Sequence, residues 1–173
     1  VAAIQNTKVA STDVSVSVSF SVASVNTAYS SLSLEPVTVN IEDDDYAAIN
    51  VVTSGELSVS ETSSSLDACD RSNDATQYVQ YSLSSEPSST VTINFEITGS
   101  NAALGQICDS ARLVFTSSNW DEPQSLFVAA VASDEANPSG LSFSVSGSVD
   151  TDDSNYDGLS VASVSIGYND NDV

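Results

Sequence analysis

Residues 1–46 return as residues 128–173, at a constant offset of 127 and without a gap. Val1-Ala2-Ala3 comes back as Val128-Ala129-Ala130, Tyr29 as Tyr156, Leu32-Ser33 as Leu159-Ser160 and Val37 as Val164. The run Asp43-Asp44-Asp45 comes back as Asp170-Asn171-Asp172. Alternating Ser and Val would align at any even shift. The tyrosine, the Leu-Ser pair and the acid run lie outside that alternation and still share one register. Self-similarity at a fixed period marks a tandem array, and this period suits whole domains better than helical solenoid units. The expected organisation is one complete repeat, residues 47–173, preceded by the C-terminal part of another, residues 1–46.

Apolar and polar residues alternate strictly in Val14-Ser15-Val16-Ser17-Val18 and in Leu141-Ser142-Phe143-Ser144-Val145, the mark of half-buried strands. Ser, Thr and Val dominate and disfavour helix. Within the complete repeat, strands are expected near 47–60 (interrupted at Gly55), 76–83, 90–97, 111–116, 124–131, 140–149 and 159–168. About seven short strands separated by turn signals describe an all-β, immunoglobulin-like antiparallel β-sandwich.

Charge narrows the range of partners. Twenty-four acids stand against three basic residues, a formal net charge of −21. Such a surface repels nucleic acid and anionic lipid and attracts cations. No apolar run is long enough to span a membrane. Catalysis is not expected: there is no His, no Gly-rich phosphate loop and no nucleophile with an adjacent base. The acids read either as solvated tips or as ligands for a divalent ion.

Strand order decides which loops share an end. In a sandwich of sequential antiparallel strands, Glu61 with loop 61–75, loop 98–110, loop 132–139 with Asp134 and Glu135, and the terminal Asp170-Asn171-Asp172 all fall at one pole. Cys69 and Cys108 lie in two of those loops, either as one disulfide or as two free thiols. A bond would tie the loops together and contribute about 2–4 kcal/mol. At the opposite pole, Asp153-Ser154-Asn155-Tyr156-Asp157-Gly158 reads as half of an EF-hand loop or as an ordinary Asn/Asp/Gly turn. Trp120, the only tryptophan, reads as a plug at the base of the sandwich or as an exposed stacking platform.

Several segments together resemble the Calx-β domain, in particular its divergent relatives strung in tandem through very large surface and adhesin-type proteins. They are Leu57-Ser58-Val59-Ser60-Glu61, the stretch 78–87, Val91-Thr92-Ile93, the stretch 113–124, Asn155-Tyr156-Asp157-Gly158-Leu159 and the closing Asn169-Asp170-Asn171-Asp172. The resemblance implies Ca²⁺ at one end of each sandwich, held by Glu61, Asp134 or Glu135, and Asp170 with Asp172. In the partial copy it implies a site at Asp43, Asp44 and Asp45, weakened because Thr7 and Lys8 stand where the other copy has Asp134 and Glu135.

The expected function is a structural spacer: a segment of a long extracellular, cell-surface protein or filament, with repeats stiffened by calcium at their junctions. The expected partners are neighbouring repeats of the same chain and, in a filament, other copies, with neither nucleic acid nor membrane insertion. The alternative is an adhesion module whose loops grip a glycan or protein ligand.

Overall fold

The computed structural model describes residues 2–10, 13–61, 69–70, 76–132 and 135–172. The chain divides into two compact units, Val1–Asp45 and Tyr46–Val173. The first holds strand β1 (Val14–Val18), the one-turn helix α1 (Thr27–Ser30) and strand β2 (Val37–Ile41). The second holds β3 (Ile49–Val52), β4 (Leu57–Ser60), β5 (Thr76–Leu83), β6 (Val91–Thr98), β7 (Gly105–Cys108), β8 (Arg112–Phe115), β9 (Gln124–Ala130), β10 (Leu141–Thr151) and β11 (Val164–Asn169).

In the second unit, a five-stranded sheet of order β4-β11-β10-β6-β8 faces a four-stranded sheet of order β3-β5-β9-β7. Side chains alternate across a strand, so every second residue points into the space between the sheets. Val79, Tyr81 and Leu83 of β5, Val91, Ile93 and Phe95 of β6, Leu126 and Val128 of β9, Phe143 and Val145 of β10, and Ile166 and Tyr168 of β11 all enter one buried core. Trp120 packs partly buried against it, and its carbonyl accepts from the Leu83 N–H at 2.8 Å. The architecture is an immunoglobulin-like β-sandwich.

Three features depart from the expected strand map. The stretch 47–60 is two strands in different sheets: β3 pairs antiparallel with β5, and β4 pairs with β11 in parallel. Gly55, at φ +128°, supplies the backbone conformation that lets the chain cross over. The chain does not reverse between β3 and β4, so β4 reaches β11 running the same way, and the sandwich is not purely antiparallel. The second departure lies in 98–110, expected as a loop. It contains a 3₁₀ turn at Ala102–Leu104 followed by β7, which pairs with β9. After Asp109, at φ +63°, the chain continues as β8 on the other sheet, paired with β6. Each lateral edge of the sandwich is therefore one extended stretch shared between the two sheets. Each edge strand is only four residues long, and such short edges blunt the tendency to recruit further strands. Cys108 accordingly ends a strand and is buried, not part of a loop at the pole. The third departure is that β11 begins at Val164. The β10–β11 pairing ends at Val145↔Val164, and β10 beyond it pairs with β6, so residues 159–163 meet no strand partner.

The first unit repeats the last two strands of the second at the offset of 127. Val14↔Ile41 through Val18↔Val37 in β1–β2 matches Leu141↔Tyr168 through Val145↔Val164 in β10–β11. The connecting turn also repeats. Asn26 Oδ1 accepts from the Ala28 N–H at 3.0 Å, and its counterpart Asp153 Oδ1 accepts from the Asn155 N–H at 2.9 Å. The Tyr29 N–H donates to Asn26 O, and the Tyr156 N–H donates to Asp153 O, each at 3.0 Å.

Candidate metal centre

The end of β4 sets the first carboxylate in place. Parallel pairing puts Ser60 beside Asn169, and the next N–H, that of Glu61, donates to Asn169 O at 2.8 Å. Asn171 Nδ2 closes the junction by donating to Glu61 O at 3.1 Å. Glu61, only 4% exposed, thereby meets the acid run that follows β11. One carboxylate oxygen from each of Glu61, Asp170 and Asp172 lies within 4.8 Å of the others.

Backbone donors orient this group. Asp170 Oδ1 accepts from the Asp172 N–H at 3.0 Å, and Asp170 Oδ2 accepts from the Asn137 N–H. These two N–H groups, led by that of Asp172, hold the Asp170 carboxyl below the usual carboxylate range, so it is ionised at neutral pH. Tyr168 closes the floor. Burial, then the neighbouring Glu61 and the charges of Asp170 and Asp172, push its phenol well up. Among the described residues, Asp172 Oδ2 is buried without a hydrogen-bond partner, and the Tyr168 hydroxyl is buried beside Glu61. A surface depression lined by Asn137, Tyr168, Asn169, Asp170 and Asp172 opens beside them. Like charges gathered around partly desolvated oxygens are costly by themselves and suit a hard cation that takes oxygen ligands.

Of the residues singled out from the sequence, Glu61, Asp170 and Asp172 come together. Glu135 does not join them: it is exposed, and its carbonyl takes up Asn137 Nδ2 at 2.9 Å. Asp134 lies outside the described residues. Tyr168 was not anticipated. Its inward place in the alternation after Ile166 reads as core, and only the acid run beginning two residues later hinted at another surrounding.

In the first unit, Asp43, Asp44 and Asp45 form a second group within 4.8 Å. Asp43 Oδ2 accepts from the Ala10 N–H at 2.7 Å, repeating the Asn137–Asp170 bond at the same offset. Gln5 Nε2 donates to Asp44 Oδ1 at 3.1 Å. Burial, then the charges of Asp43 and Asp44, raise the Asp45 carboxyl. Lys8 is exposed. Ile41 stands where the other unit has Tyr168.

Cys69 and Cys108 form a disulfide, which fastens the segment after β4 to the end of β7. The Asp153 segment at the opposite pole serves as a turn. Asp153 is buried, and its two oxygens accept from the Ser88 N–H at 2.6 Å and the Asn155 N–H at 2.9 Å. Burial pushes this carboxyl up, but the Asn155 and Ser88 N–H groups outweigh burial and hold it below the usual range. Both oxygens thus already have partners within the protein.

No family model matches the chain, and no curated protein matches it. Among solved structures it is similar to the periplasmic chaperone SfaE, at a TM-score of 0.46 and 9% identity. The similarity covers 73% of this chain and 58% of that one, so the chain spans a little over half of the chaperone's length. No helix among the described residues is long and apolar enough to cross a membrane.

Proposed function

We propose that this chain is part of a structural spacer, a segment of a long extracellular surface protein or filament built from Calx-β-like repeats and stiffened by Ca²⁺. The observation that carries the reading is the meeting of Glu61 with Asp170 and Asp172 over the buried Tyr168 hydroxyl. Residues far apart in the chain converge there to make a group with more negative charge than a structural role requires. These three carboxylates would hold the ion, and the ion would supply the positive charge that relieves their repulsion. The Asp43–Asp45 group, which ends where the second unit begins, would do the same at the boundary between repeats. The offset repeat supports an array. The disulfide supports an oxidising, extracytoplasmic setting, and the charge of −21 supports solubility over nucleic-acid or membrane binding.

Calorimetric titration of the full chain with CaCl₂ tests the calcium part. Binding in the range of about 10⁻⁴–10⁻³ M, usual for extracellular modules, is expected, and Glu61→Gln or Asp172→Asn is expected to weaken it. Absence of heat, together with an unfolding midpoint that ignores Ca²⁺, would reject it. Small-angle scattering with and without a chelator tests stiffening, and identical curves would reject that part alone.

A further inference from the structure

We infer that the β1–β2 hairpin is a docking face for a β-sandwich body carried ahead of it on the same polypeptide, and that this body has a small side chain where residues 46–127 present Phe95. In the second unit, the body covers β10 and β11 from both sides. β10 pairs with β6 from Ser144↔Thr98 to Thr151↔Val91, and β11 pairs with β4. In the first unit, β1 and β2 pair only with each other among the described residues. β1 stops at Val18, the last residue with a partner on β2, whereas β10 runs on to Thr151 along β6. Two outer edges are therefore open to a strand.

The faces tell the same story. Val16 is 41% exposed and its counterpart Phe143 is 1% exposed; Tyr29 is 57% exposed and its counterpart Tyr156 is 1% exposed. Phe20, Leu32, Leu34 and Val37 are exposed as well. A two-stranded ribbon with an uncovered apolar face is marginal by itself, and open strand edges recruit further strands. In the second unit the covering body leads into this segment through Phe127-Val128, and Val128 is the counterpart of Val1. That connectivity assigns the cover to the same polypeptide.

The side chains then say which body fits. Gly147 lies opposite Phe95, and a Cβ there would stand 2.9 Å from Val161 and 3.1 Å from the Phe95 ring. The first unit has Phe20 in place of Gly147 and Leu34 in place of Val161, so both neighbours have grown. A third large side chain at the Phe95 position does not fit. Conversely, a Cβ at Gly105 would stand 2.5 Å from the Phe143 ring. Val16, in the place of Phe143, frees that space, so the covering body needs no glycine there. Repeats of this array are matched to their own terminal strands and are not interchangeable.

The inference rests on the tandem-repeat part of the proposed function and not on calcium. It is tested on the full chain lengthened by a second copy of residues 46–127 placed directly before Val1. Three forms are compared: the added copy unchanged, the added copy with Phe95→Ala, and the unchanged copy combined with Phe20→Gly. Amide exchange over 14–24 and 37–41 is the readout, with β10 as internal reference. Both reduced forms are expected to slow exchange there by about two orders of magnitude, as docking into a cooperative unit does, and the unchanged form by much less. Equal slowing in all three would overturn the size match and leave the repeat reading standing. No slowing in any form would overturn both. Concentration-dependent protection of 14–24 in the unlengthened chain would assign the face to a second copy and overturn the proposal.

Discussion

The hairpin of β1 and β2 and the pair β10–β11 are two versions of one segment. They share strand register, turn hydrogen bonds and the backbone bond to the first aspartate of the acid run. What they do not share is surroundings. Phe143 and Tyr156 are sealed inside a sandwich, while their counterparts Val16 and Tyr29 are exposed; Val145 and Ile166 are buried, while their counterparts Val18 and Val39 are partly exposed. Local chemistry thus suffices to set pairing and turn, but the energetic consequence of a side chain depends on whether a body covers it.

That contrast can be broken by paired substitutions, monitored by denaturant unfolding of the full chain. The largest effect is expected for Phe143→Ala, about 3–5 kcal/mol for emptying an aromatic site in a packed core. Val16→Ala, its counterpart, is expected to stay within about 0.5 kcal/mol, and similar losses at both sites would end the comparison. Next comes Gly147→Phe, which gives the second unit the residue of the first. Overpacking against Val161 and Phe95 is expected to cost about 1–3 kcal/mol, and adding Phe95→Ala should recover part of it. If the double variant is worse than the sum of the singles, the steric account of Phe20 is wrong.

A smaller effect separates the tyrosines. The Tyr156 hydroxyl donates to Ser85 O at 2.7 Å and accepts from the Ser85 N–H at 3.2 Å, all buried. Tyr156→Phe leaves those groups without partners and is expected to cost about 1–2 kcal/mol, whereas Tyr29→Phe should be silent. The smallest difference lies in pH. Asp153 has its carboxyl held below the ordinary 3.8, while its counterpart Asn26 does not titrate. A depressed folded-state value means that the stabilisation from Asp153 is fully present above 3.8 and is lost as pH falls through the lower, folded value. Asp153→Asn should remove that part of the acid limb and leave the shape of the curve above it unchanged. An identical acid limb in the variant would deny Asp153 its role in the turn.

Much of the sandwich was legible because alternation at period two is written directly in the sequence: β5, β6, β8, β9 and β10 lie within one or two residues of their expected bounds. β7 was not legible, since Gly105-Gln106-Ile107-Cys108 is short and carries too little alternation to register as a strand. The crossover at Gly55 was visible as an interruption, but the change of sheet was not, because a glycine marks a bend without saying what each half will pair with. At the site, Glu61, Asp170 and Asp172 could be gathered by following strand direction. That Glu135 stays exposed and outside the group could not be read this way, because it depends on where the segment before β10 settles against the acid run. Tyr168 was hidden for the opposite reason: an inward tyrosine looks like core until carboxylates are found above it.

The sequence alone determined what is local or periodic. The offset of 127, the strand alternation and the surplus of acid all follow from short-range stereochemistry and composition. Only the tertiary structure decided the rest: which sheet each half of a split strand joins, which carboxylates share one small volume, and which copy of the repeated segment is covered. These depend on pairings between residues distant in the chain, where burial and excluded volume act, and no local pattern encodes a partner that lies elsewhere.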